Sequence, residues 1–112
     1  MNCIIIDGNI TSQNQLIELI EQMPHLSLKA ACHSPSEVIH ILQSQSIDLI
    51  FLDSQIARMQ GIEFAKSLVN RPIIIFTSQN AQFAAEAFNI DAVDYLIKPV
   101  SVERFLRAVQ KA

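Results

Sequence analysis

Apolar and polar positions along this chain fall into blocks whose period changes from strand to helix five times. Residues ~2–6 form an apolar strand in which Cys3-Ile4-Ile5-Ile6 runs into Asp7. Over ~10–22, Leu16, Ile17, Ile20 and Met23 recur at helical spacing, and Pro24 closes that helix. Leu26, Leu28 and Ala30 then alternate with Ser27 and Lys29, the pattern of an edge strand with one wetter face. Ser34-Pro35-Ser36-Glu37 combines a cap serine, proline at the first helical position and a glutamate that reaches back to the cap. Val38, Ile39, Ile41 and Leu42 supply the buried stripe of that helix to about Ser44.

The second half repeats the alternation. Residues ~47–52 are apolar on both faces, as in a central parallel strand. A loop from Ser54 to Gln60 leads through Gly61 into a helix expected to bury Ile62, Ala65, Leu68 and Val69. Asn70-Arg71-Pro72 breaks it before a strand at ~73–76. A short alanine-rich helix is expected at ~81–89 and a strand at ~92–97. Ser101 caps a last helix with Val102, Phe105, Leu106 and Val109 as its apolar face. Five such units predict an α/β three-layer sandwich with right-handed crossovers, flavodoxin-like, its parallel sheet ordered 2-1-3-4-5.

In such a sheet, ligands bind outside the carboxyl ends of the strands. Here those ends deliver Asp7, Asp53, Thr77 and Lys98, the last followed by Pro99. Two acids, a hydroxyl and an ammonium suit a divalent cation beside a phosphoryl group, with Asp53 as acceptor.

Composition narrows the reading. At 112 residues the chain is one domain, and no apolar run approaches the ~20 needed to span a bilayer, so a soluble cytoplasmic protein is expected. A net charge of −3 argues against holding nucleic acid through phosphate contacts. Cys3 and Cys32 fall on neighbouring strands, but without CxxC spacing they make no zinc site, and they are expected as free thiols. His25, His33 and His40 are too scattered for a metal site.

Asp48-Leu49-Ile50-Phe51-Leu52-Asp53 with Gly61 eight residues later, Phe76-Thr77 at a strand end, and Asp94-Tyr95-Leu96-Ile97-Lys98-Pro99 together resemble the receiver domain of two-component response regulators. Ala84-Ala85-Glu86-Ala87-Phe88 before Ala92-Val93-Asp94-Tyr95-Leu96 is similar to the LytTR-type subfamily, in which a DNA-binding domain follows the receiver. The resemblance covers the whole chain. It implies that Asp53 takes a phosphoryl group from a sensor histidine kinase and that Lys98, Thr77 and Tyr95 are switch residues. It further implies a cis peptide before Pro99, and Mg²⁺ held by Asp7, Asp53 and the backbone carbonyl of Gln55. DNA would be reached only through an output domain absent from this chain.

Two departures stand out. Such receivers carry a second acid where this chain has Gly8, which predicts a weakened metal site, and Asn9 is the one neighbour with an amide oxygen to lend. Ile56-Ala57-Arg58-Met59-Gln60 also replaces the usual loop, bringing in an arginine expected to be solvated. The alternative to a phosphorylated switch is a pseudo-receiver that binds a partner without a phosphorylation cycle. A homodimer through residues 81–111 is also expected, with Glu86, Asp91 and Asp94 facing Arg104, Arg107 and Lys111 across a two-fold axis.

Overall fold

The computed structural model describes residues 1–56 and 59–112, so the expectation for Arg58 lies outside the described residues. Five strands pair in parallel: β1 (Asn2–Ile6), β2 (Ser27–Cys32), β3 (Leu49–Asp53), β6 (Ile73–Ser78) and β7 (Asp94–Ile97). Their order is β2-β1-β3-β6-β7, which is the expected 2-1-3-4-5 arrangement. The described residues of the loop after β3 include two further short strands. β4 (Gln55–Ile56) and β5 (Met59–Gln60) pair antiparallel within it, because Ile56 is apolar and fully buried.

The helices are α1 (Ile10–Glu21), α2 (Pro35–Ser44), α3 (Gly61–Ser67), α4 (Ala84–Asn89) and α5 (Val102–Lys111). Alternation along each strand divides the core into two layers. Ile4, Ile6, Ile50, Leu52, Ile74 and Phe76 join Val38, Ile62 and Ala87, and so face α2, α3 and α4. Cys3, Ile5, Leu49, Phe51 and Ile75 join Leu16, Ile20, Phe105 and Val109, and so face α1 and α5. Phe51 and Phe105 stack with centroids 5.5 Å apart, worth ~0.5–1.5 kcal/mol beyond their burial.

Local chemistry sets the helix ends. Asn9 accepts the Ser12 N–H at the start of α1, Glu37 reaches back to the Ser34 N–H, and the Ser101 hydroxyl accepts from Arg104 N–H. Three predicted stripes are corrected. On α2 only Val38 is buried; Ile41 and Leu42 pack partly buried against the core, and Ile39 is exposed. α3 stops at Ser67, and Leu68 turns extended at ψ 130, so Val69 swings outward and Phe64 takes the buried place. On α5, Val102 and Leu106 are exposed, because Phe105, Ala108 and Val109 form the stripe that meets the sheet. α4 begins three residues later than expected, because Asn80 holds the preceding segment: its side-chain oxygen accepts the Gln82 N–H.

Cys3 and Cys32 are free and buried, and burial pushes both thiols up to about 11. All three histidines are exposed. Among the described residues no helix is long and apolar enough to cross a membrane.

Candidate functional site

The carboxyl ends of β1, β3, β6 and β7 surround a cavity of about 270 Å³. Asp7, Gly8 and Asn9 line it after β1, Asp53, Ser54 and Gln55 after β3, and Ser78, Gln79 and Asn80 after β6. Lys98 enters from the end of β7. Parallel pairing puts these ends side by side, and Ile6↔Leu52 and Asp53↔Thr77 register places the two acids on adjacent strands.

Lys98 organises the charge. Its Nζ lies 2.9 Å from Asp7 Oδ2 and 2.9 Å from Asp53 Oδ2. Asp7, fully buried, accepts the Asn9 N–H through its other oxygen at 2.8 Å, and Asp53 Oδ1 accepts from Gln55 N–H at 3.2 Å. Gln13, itself buried, pins the same region by donating to the carbonyls of Asp7 and Cys32. One cation between two anions leaves the trio with a net negative charge. Burial and the nearby Asp7 charge accordingly raise the Asp53 pKa above the ordinary carboxylate value, although Lys98 and the Gln55 N–H pull it down. Burial works against the Lys98 ammonium, yet hydrogen bonds and charge from both acids outweigh it and raise its pKa. Lys98 therefore stays protonated. The Lys98–Pro99 peptide is cis.

Gly61 protects the geometry of Asp53. Its N–H donates to Ser54 O at 2.7 Å, and a Cβ on it would overlap the Asp53 carbonyl oxygen. Only glycine permits that approach.

The hydroxyl assignment changes. Thr77 pairs with Asp53 in the ladder, but it is absent from the cavity wall, and its buried Oγ1 has no hydrogen-bond partner. Ser78 takes the place facing the cavity, because β6 runs two residues further than its apolar run suggested. Ser54 and Ser78 each stand one position past the paired Asp53 and Thr77, an equivalence that only the register of β3 and β6 reveals. Tyr95 is already turned inward: it packs against Phe76 with centroids 6.2 Å apart and donates its hydroxyl to Asn80 O at 2.9 Å.

Gly8 offers no side chain, the Asn9 side-chain oxygen is committed to its helix cap, and among the described residues no three His, Cys, Asp or Glu side chains are grouped to hold a metal. Two carboxylates on an open cavity fit a Mg²⁺ that keeps most of its water, in competition with the Lys98 ammonium.

Four of the six charges expected to pair across a dimer axis, Asp94, Arg104, Arg107 and Lys111, are instead paired within the chain. Arg104 and Lys111 both reach the buried Asp94, at 3.0 Å and 3.1 Å, and Arg107 meets Glu103 one turn away. Among the side chains that α4, β7 and α5 leave exposed are four large apolar ones: Phe88, Ile97, Val102 and Leu106.

Comparison with known proteins agrees with this geometry. The family described as response regulator receiver domain matches residues 3–110. The sensory transduction protein LytR of Staphylococcus saprophyticus is 33% identical over 99% of this chain and 45% of its own length. The positive alginate biosynthesis regulatory protein of Pseudomonas aeruginosa is 31% identical over 100% of this chain and 47% of its own. The chain thus spans less than half the length of these curated relatives. Among solved structures, the response regulatory domain of protein mrkE from Klebsiella pneumoniae superposes with a TM-score of 0.89 at 29% identity, covering 99% of this chain and 93% of that one. A CheY-like receiver from Methanospirillum hungatei, at 17% identity and TM-score 0.81, shares the fold.

Proposed function

Because this chain belongs to the response regulator receiver domain family, we propose that it is a phosphoryl-accepting switch of a two-component system, with Asp53 as the acceptor. The observation that carries the reading is the Lys98 ammonium held 2.9 Å from both Asp7 and Asp53 at the mouth of the cavity. An Asp53 carboxylate oxygen attacks the phosphorus of a phosphohistidine in a sensor histidine kinase. The P–N bond breaks and its electron pair returns to the imidazole nitrogen, leaving an aspartyl phosphate. Such a transfer is governed by positioning and charge neutralisation. Lys98 shifts from the carboxylates toward the new phosphoryl oxygens, and the Ser78 hydroxyl donates to them. Asp7, Asp53 and the Gln55 carbonyl would hold Mg²⁺, which when bound neutralises charge on the phosphoryl group.

The Asn80 N–H donates to Ser78 Oγ and the Asn80 carbonyl takes the Tyr95 hydroxyl, so a change at the phosphoryl group reaches β7 and the exposed apolar side chains beside it. That face is proposed as the self-association surface. A DNA-binding output domain is proposed as the effector in the longer protein.

Gly8, which puts no carboxylate at the cavity, favours one second reading, a pseudo-receiver that binds a partner without a phosphorylation cycle. Incubation with phosphoramidate, with and without Mg²⁺, followed by intact mass measurement separates the two. One base-labile phosphoryl adduct, lost in Asp53→Asn, supports the switch. No adduct under either condition leaves the pseudo-receiver.

A further inference from the structure

The cavity-facing hydroxyl of Ser78 is not alone. Ser54 donates its hydroxyl to Ser78 Oγ at 2.8 Å, and the Asn80 N–H donates to the same oxygen at 3.3 Å. Both serines are buried, Ser54 at 3% and Ser78 at 1% exposure, and both line the cavity. A serine oxygen has two acceptor sites and one hydrogen. With both acceptor sites taken, the single Ser78 hydrogen is left to donate, and the cavity is the direction left open. Without Ser54, the Ser78 hydroxyl is free to rotate and accept from or donate to water.

We infer that Ser54 is a positioning residue that acts through Ser78, orienting its hydroxyl as a ready donor for a phosphoryl oxygen entering the cavity. The inference rests on the proposed switch and adds to it the residue that sets the direction of the Ser78 proton. Ser54 carries the aspartate's own strand end, anchored by its N–H to Thr77 O at 2.8 Å and by its carbonyl to the Gly61 N–H. The residue that orients the donor is therefore fixed to the same backbone as the nucleophile. A preorganised donor of this kind has no reorientation to undergo when charge appears.

The test is a double-mutant cycle on the rate of phosphorylation by phosphoramidate, read by intact mass. Ser54→Ala is expected to slow the reaction about five- to tenfold, the usual loss for one hydrogen bond. Ser78→Ala is expected to slow it at least as much, and Ser54→Ala should have no further effect in the Ser78→Ala background. Ser54→Thr, which retains the hydroxyl, should recover most of the rate, and unfolding curves of all variants separate this from loss of fold. An unchanged rate in Ser54→Ala, or effects that multiply in the double variant, overturns the positioning role while the switch itself stands. A wild-type chain that takes no phosphoryl group overturns both.

Discussion

Gly8 is where one absent side chain weighs most. A Cβ there would meet nothing within 4 Å, so Gly8→Asp places a third carboxylate at the cavity without displacing a neighbour. That variant is expected to bind Mg²⁺ roughly ten- to a hundredfold more tightly, the usual size of effects around a metal's ligand sphere. Calorimetric titration of both proteins checks it, and equal affinities would mean that water replaces the ligand without cost. Thr77 poses the opposite case, a buried hydroxyl with no partner. Replacing it with the isosteric Val removes an unsatisfied group, so Thr77→Val should raise the unfolding free energy by about 1 kcal/mol in denaturant titration. Its phosphorylation rate should stay unchanged. A large loss of rate would return Thr77 to the role assigned above to Ser78. Asp53 adds a pH signature. Its raised pKa keeps part of the population protonated, and hence non-nucleophilic, above the ordinary carboxylate range. The phosphorylation rate should therefore fall with acidification at a higher pH than an exposed aspartate would give.

Elements are tied together by charges that the sequence pattern assigned to a dimer interface. Asp94 opens β7, is buried, and receives Arg104 and Lys111 from α5 as well as the Tyr95 N–H. Burial raises its pKa, but Arg104, the Tyr95 N–H and Lys111 together outweigh that and hold it below the usual value. A lowered folded-state pKa gives stability that is present above the unfolded-state pKa and lost as pH falls through the folded one. Asp94→Asn should therefore cost about 1–2 kcal/mol at neutral pH, allowing for the half-exposed cations. The difference from wild type should shrink in urea titrations repeated toward strongly acid pH. A constant difference would place the effect in packing rather than charge.

At the scale of the whole molecule, the edge of the sheet beyond β7 is unfinished. Phe88 at 50%, Ile97 at 44%, Val102 at 51% and Leu106 at 37% exposure flank it, while Arg104, Arg107 and Lys111 on α5 are already paired within the chain. A dimer built there is held by apolar contact, which salt does not screen, rather than by ion pairs. Light scattering with and without beryllofluoride, at low and high salt, is expected to show a dimer that beryllofluoride favours and salt leaves intact. Val102→Glu should return it to monomer. A monomer under all four conditions removes this interface from the isolated domain.

The order of elements and the identity of the acidic pocket were legible in the sequence, because both follow from local pattern. Apolar runs of four or five residues must be strands buried on two faces, and what ends them must cluster at one edge of a parallel sheet. Asp7, Asp53 and Lys98 could be placed by that rule alone. Which of two adjacent hydroxyls faces the cavity depends on where β6 ends and on its register with β3, so Ser78 rather than Thr77 emerged only in three dimensions. The Ser54–Ser78 contact joins residues 24 apart, and no periodicity links them. The partners of Arg104 and Lys111 were equally beyond local reading, because a charge on a helix finds its neighbour only once α5 lies against β7. Periodicity says which side chains belong inside, whereas packing decides what each polar group inside touches.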